Sequence, residues 1–180
     1  MAIKLVLCGD GAVGKTALRQ RFLGKGFSTN YLQTIGANFA LKVVQLPNST
    51  EVLKAQIWDL AGQPSFSNVR PKFYKGSHGA VMVFDVTRPD TLENLEKWLE
   101  ELMGTTAWES FPIVFCGNKT DLRESVPESV TTEQAEAYAK KLGEKYGSGG
   151  VLYFDTSAKT GDNVNTAFEH LAGLVFELLG

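Results

Sequence analysis

The sequence predicts an α/β fold in which a mostly parallel sheet is covered by helices on both faces and carries a hairpin at one edge. Three observations lead there. Short, unbroken apolar runs alternate with segments of helical spacing, as buried parallel strands and their crossovers require. Two longer runs flank one turn sequence. The polar, glycine-containing motifs stand directly after strand-like runs, where ligands bind in such sheets.

Ile3–Cys8 is an apolar run that ends at Gly9 and reads as the first buried strand. Lys15–Leu23 has helical spacing, with Ala17, Leu18, Phe22 and Leu23 apolar. Residues 24–38 form a polar loop, long enough that function explains it better than connection. Phe39–Leu46 and Val52–Trp58 flank Pro47-Asn48-Ser49-Thr50 and predict an antiparallel hairpin. Ala80–Val86 is another buried strand. A helix follows over Thr91–Met103, with Leu92, Leu95, Trp98, Leu99 and Leu102 on one face and Asp90 and Glu93 placed as a capping box. Pro112–Cys116 is a strand. Thr132–Lys145 is a helix opened by Thr131 and Gln134 in the same capping arrangement. Val151–Phe154 is the last strand. Val164–Leu179 is the last helix, with Val164, Phe168, Leu171, Val175 and Leu178 facing inward.

The 180 residues suit one domain, taken as 1–180, with no repeat, linker or low-complexity run. A net charge of −2 excludes a general nucleic-acid binder, which needs a basic face, and gives no support for an anionic membrane surface. No apolar run approaches the roughly 18 residues of a membrane span. Met1-Ala2-Ile3-Lys4 leads straight into a strand without a signal peptide, and Ala2 stands where myristoylation needs glycine. The expectation is a cytoplasmic monomer. Cys8 and Cys116 lie in apolar runs and read as reduced core thiols; with His78 and His170 they show no zinc-site spacing.

Four motifs carry chemistry. Gly9-Asp10-Gly11-Ala12-Val13-Gly14-Lys15-Thr16 matches G-x-x-x-x-G-K-[ST], between a strand and a helix. The backbone N–H groups of residues 11–16 can wrap a phosphate at the positive helix terminus, Lys15 adds a point charge, and the Thr16 hydroxyl can ligate Mg²⁺. Asp59-Leu60-Ala61-Gly62-Gln63 ends the hairpin, placing a carboxylate for Mg²⁺ and a glycine N–H for a terminal phosphate. Asn118-Lys119-Thr120-Asp121 follows a strand. Its aspartate can accept from the N1–H and 2-amino group of guanine, donors that adenine lacks, and the Lys119 stem can cover the base. Thr156-Ser157-Ala158-Lys159 follows the last strand, where the Ala158 N–H can reach the guanine carbonyl.

Together, in this order, the four motifs closely resemble the Ras superfamily of small GTPases over Ile3 to Leu179. Phe39, Trp58 and Phe73-Tyr74-Lys75-Gly76-Ser77-His78-Gly79 are most similar to the Rab branch, as is Tyr31-x-x-Thr34-Ile35-Gly36-x-x-Phe39. The resemblance implies a three-layer P-loop GTPase fold, with a six-stranded mostly parallel sheet, one antiparallel edge strand and five helices. It implies GTP and GDP as substrate and product, slow unassisted hydrolysis, and Mg²⁺ held by Thr16 and Thr34, with Asp59 acting through water. Gln63 and Lys15 would be catalytic, Gln63 orienting the attacking water. Gly11, Ala12, Val13, Gly14, Lys15, Thr16, Ala17, Phe27, Tyr31, Thr34, Gly62, Asn118, Lys119, Asp121, Ser157, Ala158 and Lys159 would bind nucleotide. Exchange factors, activating proteins and effectors are the implied partners, with Phe39, Trp58 and Phe73 as an effector patch.

The sequence departs from that branch in three places. Pro64 replaces an acidic residue after the switch glutamine and pushes Gln63 toward extended backbone. Pro71 either interrupts the second-switch helix or starts it. Gly11-Ala12 with Thr16 is closer to the Rho branch, although Leu122–Thr131 leaves no room for the extra helix found there. Rab proteins carry a long tail that ends in prenylated cysteines, whereas this sequence shows no cysteine after Cys116; a removed tail and an absent anchor both fit. A GTP switch that hardly hydrolyses, kept open by Pro64, and a P-loop small-molecule kinase are the alternatives. The kinase needs an arginine-rich lid, and Arg19, Arg21, Arg70, Arg88 and Arg123 are not gathered into one.

Overall fold

Alternate side chains of the first strand feed two separate cores, one on each face of the sheet. The computed structural model describes residues 1–107, 109–146 and 152–180. Strand β1 (Ala2–Cys8) sends Ile3, Leu5 and Leu7 to one face and Val6 and Cys8 to the other, the period of two that a pleated strand imposes. The other strands are β2 (Ala37–Gln45), β3 (Val52–Leu60), β4 (Gly79–Asp85), β5 (Ile113–Asn118) and β6 (Leu152–Asp155). They run in the order β2-β3-β1-β4-β5-β6. Neighbours are parallel except β2 and β3, which pair antiparallel with Phe39 opposite Trp58. The three-layer P-loop fold expected from the sequence is the one observed, except that the described residues form six α-helices rather than five.

Helices α1 (Lys15–Phe22) and α6 (Val164–Leu179) cover the first face, where Phe22 stacks on Phe168 with ring centroids 4.4 Å apart. On the second face lie α2 (Arg70–Tyr74), α3 (Pro89–Glu93), α4 (Leu95–Met103) and α5 (Thr132–Tyr146). Cys8 and Cys116 are free thiols in opposite cores, and burial pushes each up to about 12. His78 accepts from the Lys4 N–H at 2.9 Å, while His170 is exposed.

Three expectations need correction. The helix expected over 91–103 starts at Pro89, whose fixed φ and missing N–H suit a first turn, and it is divided at Asn94. Asp90 and Glu93 therefore form no capping box; Thr91 Oγ1 bonds the carbonyl of Arg88 at 2.7 Å instead. Leu178 is 52% exposed, because Val175 already lies over Gly79, where β4 begins, and the last turn of α6 runs past the sheet. By contrast, Thr131 and Gln134 make their reciprocal cap at 3.2 and 3.0 Å. Val151 lies outside the described residues.

The strand order changes direction beside β1, the switch point at which such sheets bind ligands. The loops after β1, β3, β5 and β6 all emerge at that edge. The stretch before β2 joins them through one backbone bond, Ala61 N–H to the Gly36 carbonyl at 2.8 Å.

Candidate functional site

The loop between β1 and α1 turns sharply, with φ of 147° at Gly9, 62° at Ala12 and 99° at Gly14. Gly14 is the N-cap of α1, and no side chain caps that terminus, so its first N–H groups point out for an anion. Lys15 is buried beneath the loop, its Nζ donating to the carbonyls of Gly9 at 2.7 Å and Asp10 at 2.8 Å. Burial pushes its ammonium down to about 8, against the opposing pull of Asp59.

Beside Lys15, three oxygen-bearing side chains converge from three segments. Thr16 Oγ1 donates to Asp59 Oδ2, and Thr34 Oγ1 stands 3.0 Å from Thr16 Oγ1 and 3.3 Å from the same carboxylate oxygen. The other oxygen, Asp59 Oδ1, is buried and has no hydrogen-bond partner. Such an all-oxygen set fits a hard cation such as Mg²⁺. Among the described residues no three His, Cys, Asp or Glu side chains are grouped for a metal, so phosphate oxygens and water would complete the shell.

These groups border a cavity of about 510 Å³ lined by Gly11, Ala12, Gly14, Lys15, Thr16, Ala17 and Lys119. Phe27, Tyr31, Thr34, Asp59, Gly62 and Gln63 line it too. Val13, expected there as well, turns its side chain into the core. Gln63 has φ −72° and ψ 142°, the extended backbone that Pro64 favours, and Pro64 opens a 3-10 turn over Pro64–Phe66. Its side chain still reaches in: Nε2 lies beside Gly11, and Oε1 is buried without a partner. Pro71 sits in the first turn of α2, so it starts that helix rather than interrupting it.

A smaller pocket of about 80 Å³ adjoins, lined by Phe27, Asn118, Lys119, Asp121, Ala158 and Lys159 among others. Ser157 does not line it, because its hydroxyl donates to Asp121 Oδ1 at 2.7 Å and fixes that carboxylate. Asn118 Nδ2 donates to the Val13 carbonyl at 3.0 Å, and its Oδ1 accepts from the Ala158 N–H at 3.3 Å. The Ala158 N–H assigned to a base carbonyl is thus already engaged. Lys119, with φ 65°, donates to the Ala12 carbonyl at 2.7 Å and pairs with Asp85 at 3.1 Å.

On the outer face of the hairpin, Phe39 and Trp58 stack with centroids 4.7 Å apart, and Phe73 lies 5.8 Å from Trp58. The trio is one patch. Phe39 is 50% exposed, whereas Trp58 and Phe73 are half-buried against the second core.

Sequence reasoning missed the braces. Asp10 accepts from Asn94 Nδ2 at 2.7 Å and from the Trp98 indole at 2.9 Å, tying the phosphate loop to the α3–α4 unit. Arg21 bonds the carbonyls of Ala158 and Lys159. Arg123 forks onto Asp155 at 2.9 and 3.1 Å, with Thr132 and Tyr153 donating to the same carboxylate. Arg70 is buried between Glu101 and the second switch. Asp10 stands inside a recognised motif, but none of its partners is a sequence neighbour, so no local pattern marks these contacts.

The profile of the Ras family matches residues 4–177. Ras-related protein RABG3d of Arabidopsis thaliana is 37% identical over 178 residues, which cover 97% of this chain and 82% of that protein. RABG3c of the same plant is 39% identical over 173 residues, 94% of this chain and 80% of its own length. The Ypt/Rab-type GTPase YPT7 of Saccharomyces cerevisiae is 38% identical over 173 residues, covering 94% and 79%. Among the described residues no helix is long and apolar enough to cross a membrane.

Proposed function

The chain belongs to the Ras family of small GTPases and is Rab-like, and from that premise we propose how its own residues bind and turn over the nucleotide. It is a GTP-binding switch that cycles between GDP and GTP states in membrane traffic, and the family as a whole binds these nucleotides with Mg²⁺. The observation that carries the reading is the meeting of Thr16, Thr34 and Asp59 at the cavity edge, with Asp59 Oδ1 buried and unpartnered.

In this reading the loop amides of residues 11–16 and Lys15 hold the phosphates. Thr16 and Thr34 ligate Mg²⁺, and Asp59 holds it through water. Bound there, the ion neutralises charge on the outer phosphates. Asp121 reads guanine with one oxygen held by Ser157, while Phe27 and the Lys119 stem cover the base. Gln63 orients the attacking water.

Hydrolysis here needs no acid–base pair: catalysis is positioning plus charge stabilisation. Unassisted hydrolysis is slow, and an activating protein supplies the missing positive charge. Exchange factors and effectors complete the cycle of a cytoplasmic monomer, with effectors reading Phe39, Trp58 and Phe73.

Competition against a fluorescent GDP, with Mg²⁺ and with chelator, tests the assignment. GDP and GTP should displace the probe while ADP and ATP do not, and chelation or Thr16→Asn should weaken GTP more than GDP. Equal weakening of both nucleotides would count against the Thr16 role; displacement by ADP would defeat the guanine reading.

A further inference from the structure

Arg70 is 5% exposed, and all three of its guanidinium nitrogens are engaged. Nε and Nη2 grip the two oxygens of Glu101 at 2.7 and 2.9 Å, the planar fork that arginine alone provides. Glu101 also accepts from the Tyr74 hydroxyl at 2.9 Å. The guanidinium lies 4.2 Å from the centre of the Trp98 ring, whose indole N–H holds Asp10 of the phosphate loop. The remaining nitrogen, Nη1, donates to the carbonyls of Ala61 at 3.2 Å and Gln63 at 3.0 Å.

Those two carbonyls flank Gly62. The Ala61 carbonyl shares a peptide unit with the Gly62 N–H, and the unit is trans, as are all peptide bonds among the described residues. In a trans peptide the C=O and N–H point in opposite directions. Fixing the carbonyl on Arg70 therefore turns the Gly62 N–H away from it, toward the cavity that Gly62 lines. No group among the described residues accepts from that N–H. The next carbonyl precedes Pro64, so its peptide unit has no N–H, and Arg70 holds the only polar group that unit has. That grip acts together with the Phe66 N–H, which donates to the same carbonyl at 3.0 Å, and with the extended preference that Pro64 imposes, to hold the backbone from which the Gln63 side chain leaves.

We propose that Arg70, locked by Glu101, is a positioning residue that aims the Gly62 N–H and the Gln63 side chain at the terminal phosphate. The Arg70–Glu101 pair then sets how strongly the site prefers GTP over GDP. This rests on the reading of the cavity as a guanine-nucleotide site. A purely structural role would weaken both nucleotides alike, because it would loosen the phosphate loop and base motif that GDP and GTP share.

The test uses the full chain as parent, Arg70→Lys and Glu101→Gln, each with and without Gln63→Leu. Affinities for GDP and a non-hydrolysable GTP analogue are measured together with single-turnover GTP hydrolysis. Arg70→Lys keeps the charge but loses the fork, and Glu101→Gln keeps the shape but loses the charge. Either should lower the analogue-to-GDP affinity ratio about tenfold, the worth of one well-aimed hydrogen bond. Either should slow hydrolysis on the order of a hundredfold, and much less when Gln63 is already leucine. A parent that does not tell guanine from adenine nucleotides overturns the site and this inference together. A parent that does, with an unchanged analogue-to-GDP ratio in both variants or the same hydrolysis loss with and without Gln63, overturns this inference alone.

Discussion

A Cβ placed on Gly14 would overlap Asn118 Nδ2, so the phosphate loop and the base motif touch at a point that admits only glycine. Asn118 uses that closeness to donate to Val13, 105 residues away in sequence, at 3.0 Å. Lys119 makes a second tie, to Ala12, at 2.7 Å. On the proposed reading, phosphate and base would therefore be bound by one unit, with the spacing between the two subsites set by these contacts.

Base identity should then rest on Asp121 alone. Asp121→Asn is expected to weaken GDP by about a hundredfold or more, from two lost hydrogen bonds to a charged acceptor. It should improve xanthosine diphosphate, whose ring presents a carbonyl in place of the amino group. Titration of both nucleotides against parent and variant checks this, and an unchanged preference for GDP over ADP would show that this loop does not read guanine.

Gly11→Ala should separate binding from hydrolysis. Its Cβ would come 3.2 Å from Gln63 Nε2, tight enough to push the glutamine aside by a few tenths of an ångström. Nucleotide affinity should hold, while single-turnover hydrolysis falls by about tenfold or more. A hydrolysis rate equal to the parent's would mean that Gln63 works from another position.

Pro64→Glu is expected to raise unassisted hydrolysis. Pro64 holds Gln63 at ψ 142° and fixes the start of the 3-10 turn, which limits the ways the glutamine can approach the line of attack. Gln63→Leu should lower the already low parent rate only modestly, yet abolish stimulation by an activating protein. Measured under matched Mg²⁺, a Pro64→Glu rate no faster than the parent's would sink the idea that Pro64 restrains catalysis.

Phe39→Ala should reduce effector binding with little loss of melting temperature. Half the side chain is exposed, and its main contact is the stack on Trp58. An aromatic of that kind suits the centre of an interface. A large fall in melting temperature without loss of effector binding would make it a packing residue.

Asp155 should govern the acid limb of stability. Burial raises its carboxyl, but hydrogen bonds from Arg123, Thr132 and Tyr153 outweigh that and hold it below the ordinary range. Its stabilisation is therefore present in full above the unfolded value of about 3.9 and lost as pH falls through the folded one. Asp155→Asn should cost about 1–3 kcal/mol at neutral pH, and the two melting curves should converge toward pH 2. Parallel curves down to that pH would remove the carboxylate from the account.

The central strands are legible in the sequence because burial on both faces demands a continuous apolar run, as in β4 from Gly79 to Phe84, while the more exposed β2 is legible with β3 as a hairpin around one turn sequence. The helix capped by Thr131 and Gln134 is legible because both capping partners lie within one turn. Elsewhere the local pattern competes with another local pattern. Asp90 and Glu93 have capping spacing, but Pro89 starts the helix two residues earlier than Thr91. At the site, Gly11, Lys15, Thr16, Asp59 and Asp121 are legible because their chemistry needs fixed neighbours. Arg70 and Trp98 are not: Arg70 belongs to no motif and Trp98 reads as the apolar face of a helix, until the fold stacks them 4.2 Å apart.

The hydrogen bond from the Ala61 N–H to the Gly36 carbonyl joins the two segments that flank the terminal-phosphate end of the cavity. Neither segment can then order by itself. A ligand that fixes Thr34 from one side also limits the freedom of Gly62 on the other, and the conformational entropy lost in one segment is shared by both. On the proposed reading, the two segments should order around the terminal phosphate as one unit rather than as two independent loops. Amide exchange at Ala61 should report it as one transition, protected in the GTP state and released in the GDP state together with its neighbours on both sides.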